Sequence, residues 1–88
     1  MIFGIYYDKQ PEKFLIKVDK HIAARLIGKI ETALAENPVP HNAKTIVGEH
    51  GTFRIRVGDY RALYRVDYAN NKIIIFKLDK RATVYDRN

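Results

Sequence analysis

FRIRVGDYRALYRV, Phe53 to Val66, places Arg54, Arg56, Arg61 and Arg65 around a central Gly58-Asp59. Two alternating apolar/polar segments separated by two residues of this type read as a β-hairpin with a two-residue loop. Such a loop dictates register: Val57 faces Tyr60, Arg56 faces Arg61, Ile55 faces Ala62, Arg54 faces Leu63 and Phe53 faces Tyr64. Side chains alternate between the two sides of a strand. Phe53, Ile55, Val57, Tyr60, Ala62, Tyr64 and Val66 therefore form one face, suited to a core, and the four arginines form the other. Arg56 directly opposite Arg61 costs roughly 0.2–1 kcal/mol of sheet stability. That cost is offset if a polyanion binds there, because guanidinium forks pair with phosphate oxygens and stay charged at any relevant pH.

The rest of the chain supports a small nucleic-acid-directed domain. Eighty-eight residues, 47% of them hydrophobic, are enough for one modest core, with roughly 60–65% of the unfolded surface buried. The net charge is +6. Residues 53–88 hold nine basic and four acidic side chains, so nearly all of the excess lies in that part. A concentrated positive charge favours anionic partners, nucleic acid above all. The sequence has no cysteine, which excludes disulfides, thiolate nucleophiles and cysteine-based zinc sites. His21, His41 and His50 are scattered, with no metal-ligand spacing. There is no Gly-rich phosphate loop and no G-x-S-x-G. Neither a signal peptide nor a run of roughly 18 apolar residues is evident, so a cytoplasmic protein without membrane partners is expected.

Around the hairpin, the expected elements alternate in type. Residues 2–8 read as a first strand. DKQPEKFLIKV follows as a short helix with Pro11 in its first turn, ending near Val18. Asp19 is a cap for a second helix whose apolar positions, Ile22, Leu26, Ile30, Ala33 and Leu34, form one stripe. ENPVP ends it, since Pro38 disfavours helical geometry at Asn37. The near-direct connection implies a two-helix hairpin. A loop over 38–51 includes a short element near Thr45 to Val47. YANNK turns the second hairpin strand into KIIIFKL, an interior strand by its apolar content. Strict alternation there puts Lys77 on the arginine face, with Ile73 and Ile75 beside Leu63. DKRATVYD then adds Lys80, Arg81 and Tyr85. A tyrosine among guanidinium groups is able to exchange a proton or stack on a base, and anchoring of the chain end accounts for it equally. The expected class is α+β: an N-terminal strand, a two-helix hairpin, then an antiparallel three-strand meander, with the helices packed on one sheet face.

LAENPVP, AKTIVG, FRIRVGDYRALYRVD and KRATVYD, in that order, resemble the RelE/ParE superfamily of type II toxin–antitoxin toxins, over nearly the whole chain. The resemblance implies a single RelE-like toxin domain over residues 1–88. It also implies a ribosome-dependent, metal-independent mRNA endoribonuclease with no cofactor, neutralised by a cognate RelB-like antitoxin. Arg61, Arg81 and Tyr85 occupy catalytic positions of that pattern, and Lys80 stands where several relatives carry His. Arg54 and Arg56 match RNA-binding positions, extended by Lys44, Arg65 and Lys77. The general base stays open among Lys80, Glu49 and His50. Two alternatives remain at this stage: a ParE-like inhibitor of DNA gyrase, and a non-enzymatic basic module that binds nucleic acid or only the antitoxin.

Overall fold

The computed structural model describes residues 2–80. It contains strand β1 (Gly4–Tyr7), helices α1 (Lys9–Lys17) and α2 (Lys20–Leu34), and strands β2 (Lys44–Thr45), β3 (Thr52–Val57), β4 (Tyr60–Asp67) and β5 (Lys72–Lys80). The strands form a five-stranded sheet in the order β1-β5-β4-β3-β2. β1 lies parallel to β5, and the other neighbours are antiparallel. The α+β arrangement expected from the sequence is therefore present. The first strand is shorter than 2–8, and the short element after the helices begins at Lys44 rather than Thr45.

Local chemistry accounts for the helices. Asp19 accepts a hydrogen bond from the His21 amide at 2.8 Å and caps α2. Leu26, Ile30 and Leu34 recur along one side of α2 and are buried. They meet Ile55, Val57, Ala62, Tyr64, Val66, Ile73, Ile75 and Leu78 from the sheet in one core. From α1, Phe14 packs edge-to-face on Tyr60, with ring centroids 5.9 Å apart. Both helices thus cover the same face of the sheet.

The hairpin register agrees pair for pair with the sequence reading, from Phe53↔Tyr64 to Val57↔Tyr60. Gly58, at φ +61°, occupies the first central position of the turn. A positive φ there suits a II′ loop, whose twist matches that of the flanking strands. The next turn is held by Asp67, whose carboxylate accepts hydrogen bonds from the backbone and side-chain amides of Asn70. The side-chain amide is the main reason that the Asp67 carboxyl titrates below its ordinary value.

Strict alternation fails in β5. Leu63 pairs with Lys77, but the next residue, Tyr64, pairs with Ile75. Phe76 is the extra residue of a β-bulge, and the bulge reverses alternation along the strand. Ile73 and Ile75 consequently belong to the core and are fully buried, correcting their expected place beside Leu63. Lys77 still reaches the arginine face. Ahead of the bulge the β5 edge is paired by β1. Beyond it, α1 takes over: the Gln10 side-chain amide donates to the Leu78 carbonyl at 3.0 Å, and its oxygen accepts from the Leu78 amide at 2.8 Å. A side chain thus satisfies both backbone groups that a sixth strand would otherwise have paired.

Two tyrosines test the energetics of this core. The fully buried Tyr64 donates its hydroxyl to the Pro38 carbonyl at 2.7 Å, tying the loop after α2 to the sheet. The Tyr7 hydroxyl is buried without a partner. Tyr64→Phe is expected to lower unfolding free energy by about 1 kcal/mol in urea titrations, whereas Tyr7→Phe leaves it unchanged or raises it. Burial, reinforced by the Glu31 carboxylate, pushes the Tyr7 phenol from 10.0 up to about 12. The folded state therefore prefers the neutral phenol. The corresponding stability is complete below pH 10.0 and is lost as pH rises toward about 12. Tyr7→Phe should flatten that alkaline decline.

Candidate nucleic-acid interface

Pairing across the sheet assembles the face opposite the helices in rows. Lys44, Arg54, Leu63 and Lys77 lie side by side across β2, β3, β4 and β5. Arg56, Arg61 and Asp79 form the next row. Thr52, Arg65, Ile74 and Tyr6 form a third. Neighbours within a row are separated by roughly 4.5–5.5 Å at Cβ. Lys44, Arg54, Arg56, Arg65 and Lys77 are exposed and Arg61 is half-buried. These six cations therefore share one face, the four arginines through the hairpin register and Lys44 and Lys77 through the pairings with β2 and β5.

Sequence reasoning did not anticipate the carboxylate on this face. Asp79 stands opposite Arg61, and its Oδ2 lies 3.9 Å from the Lys77 ammonium. The sequence pattern ends the strand at Leu78 and leaves Asp79 in the tail, whereas β5 continues through Lys80 and so carries Asp79 to the same face as Lys77. It tempers the like-charge opposition of Arg56 and Arg61 without cancelling the positive field of the face.

Lys80 occupies a different place. Together with Arg25 and Lys29 of α2, it lines a cleft of about 320 Å³ behind the Gly58-Asp59 turn, floored by Ile22, Leu26, Val57 and Tyr60. It is thus not grouped with Arg61. Arg81 and Tyr85 lie outside the described residues. Glu49 and His50 are exposed in the loop before β3, where the Glu49 carbonyl accepts from the Thr52 hydroxyl at 3.2 Å. Neither lines the cleft that Arg54 and Arg61 share with Leu63. Among the described residues, no three His, Cys, Asp or Glu side chains are grouped to hold a metal, and no helix is long and apolar enough to cross a membrane.

The arginine face is not flat. Thr45, Ile46, Val47, Arg54, Arg61 and Leu63 enclose a cleft of about 310 Å³. Two permanent charges beside apolar walls suit a ligand that combines an anionic group with a hydrophobic one.

Residues 5–85 match the family model described as the ParE toxin of the type II toxin–antitoxin system parDE. The chain belongs to this family, within the RelE/ParE superfamily of toxins. Toxin RelG of Mycobacterium tuberculosis is 46% identical over 37 residues, a stretch that spans 42% of this chain and 42% of that protein. A chain of the RelBE2 toxin–antitoxin complex of the same organism superposes with a TM-score of 0.80 at 28% identity, covering 93% of this chain and 94% of that one. A chain of the RelB–RelE antitoxin–toxin complex of Methanococcus jannaschii is 31% identical with a TM-score of 0.63, covering 93% and 96%. The overall arrangement of helices and sheet is thus shared with these toxin chains.

The like-charge row makes a measurable prediction. Arg56→Thr removes one of two opposed charges and should raise unfolding free energy by about 0.2–1 kcal/mol at low ionic strength. The gain should shrink in high salt as screening weakens the repulsion. Paired urea titrations at the two salt levels check both statements.

Proposed function

We propose that this protein is the toxin of a type II toxin–antitoxin system and stops translation by cutting mRNA on the ribosome. The observation that carries this reading is the collection of Lys44, Arg54, Arg56, Arg61, Arg65 and Lys77 on one sheet face, around a cleft with apolar walls. Similarity to toxin chains from RelB–RelE-type complexes supports it. In the proposed reaction a ribose 2′-oxygen forms a bond to the adjacent phosphorus and gives its proton to a base. The bond from phosphorus to the 5′-oxygen breaks, and that oxygen takes up a proton. A 2′,3′-cyclic phosphate and a 5′-hydroxyl result.

Negative charge grows on the phosphoryl oxygens along this path, and preorganised guanidinium groups stabilise it without a metal. Arg61 supplies that charge from the sheet and Arg81 from the tail. Tyr85 orients the substrate or transfers a proton, while Lys80, which lines the other cleft, takes no part in this step. Arg54, Arg56, Arg65, Lys44 and Lys77 hold the RNA backbone. A RelB-like antitoxin neutralises the protein in the cytoplasm. An acidic partner segment complements both the arginine face and the second cleft, where Arg25, Lys29 and Lys80 rim an apolar floor.

A second reading follows from the matching family model, which is that of ParE toxins: inhibition of DNA gyrase on the same framework. Primer extension on translating ribosomes and a gyrase supercoiling assay, run side by side, separate the two. Cuts within codons support the nuclease, and DNA breaks that require gyrase support the alternative. Arg61→Ala is expected to reduce ribosome-programmed cleavage by about 100-fold or more, with an unchanged circular dichroism spectrum. Undiminished cleavage would remove Arg61 from the active site.

A further inference from the structure

Three apolar side chains on the sheet's second face are not used by the core. Leu63 sits between Arg54 and Lys77 in the middle of a cationic row. Val47, in the turn after β2, is 96% exposed, so folding gains almost nothing from its side chain. Ile46, beside it, is half-buried. One exposed valine needs no explanation. Three apolar residues that converge on one cleft with two arginines call for one.

We propose that this cleft is a nucleobase subsite, in which Ile46, Val47 and Leu63 hold the ring of one RNA nucleotide while Arg54 and Arg61 engage its phosphate. The assignment rests on the RNA-cleaving reading given above. A nucleotide pairs a flat ring having apolar faces with an adjacent anion, and the cleft offers walls for the first and charges for the second. Its volume of about 310 Å³ lies at the small end of the range for ligand sites, roughly 300–1,000 Å³. An amphipathic helix of an acidic protein partner needs a longer groove, one that takes anchors over two helical turns.

The same geometry specifies what the subsite reads. The Ile46 amide donates to the Thr52 carbonyl at 3.2 Å, and the Ile46 carbonyl accepts from the Glu49 amide at 3.2 Å. Those backbone groups are committed to the loop. Apart from the two arginines, only the Thr45 hydroxyl remains among the lining side chains to bond a base edge. The site therefore distinguishes the presence of a base from its absence much more strongly than one base from another.

The test is single-turnover cleavage on programmed ribosomes, using mRNAs in which an abasic ribose is walked along the codon. With wild-type protein, one position should slow cleavage about 10-fold or more, the scale of a lost base-stacking contact. Val47→Ala/Leu63→Ala should slow cleavage of intact mRNA by a similar factor. The abasic substitution at that position should then add little in the double variant. RNA-binding titrations should show an unchanged salt slope for this variant, and a slope shallower by about 1 for Arg54→Ala. Thermal melts confirm that the variants are folded. Additive losses, wild-type cleavage by the double variant, or a weakening of antitoxin inhibition alone would overturn the subsite while leaving the nuclease reading intact. Wild-type protein that neither cleaves nor binds RNA would overturn both.

Discussion

The two-residue turn at Gly58-Asp59 is the constraint on which the rest depends. Its length leaves one register for β3 on β4, and that register sorts side chains between a helix-covered face and an open one. A slip of β4 by one residue against β3 would carry Ala62 and Tyr64 to water and Arg61 and Arg65 toward the core. The positive φ of Gly58 makes the turn possible, and burial of the apolar set makes any other pairing too costly. The core and the cationic face are thus two consequences of one local geometry.

The bulge at Phe76 does for β5 what the turn does for β3 and β4. β5 must serve two partners: β1, which lies parallel to its first half, and β4, which runs antiparallel along its length. Without an extra residue, Ile73 and Ile75 would lie on the same side as Lys77. With it, both isoleucines pack under the helices, while Lys77 and Asp79 meet the arginine rows. Gln10 then closes the edge beyond the end of β1. The carboxylate opposite Arg61 is there because β5 continues past Leu78 in regular register with β4.

The open face carries features that cost stability and that the core does not require. Arg56 against Arg61 is repulsive, Leu63 and Val47 leave apolar surface in water, and none of the three serves the core. A sheet face selected for stability alone would carry threonines and mixed charges. The features that folding does not explain cluster around one cleft. That coincidence joins the charge of the sequence to the RNA chemistry proposed for this toxin-family fold. The second cleft, on the helix side of the sheet, separates Lys80 from Arg61 although the two residues belong to paired strands.

The sequence alone determined the elements set by local rules. These are the Asp19 cap, the Leu26-Ile30-Leu34 stripe, the Gly58-Asp59 hairpin with every pair of its register, and the single face shared by Arg54, Arg56, Arg61 and Arg65. Each depends on contacts within about one turn or one hairpin, where spacing specifies geometry. Its motifs were also enough to suggest the toxin superfamily. Tertiary structure decided the parallel pairing of β1 with β5, the reversal at Phe76, the place of Asp79, and the cleft that Ile46 and Val47 build with Leu63. Those features arise between segments distant in the chain. There the best packing of the whole core, rather than the period of any one strand, selects which side chain turns inward.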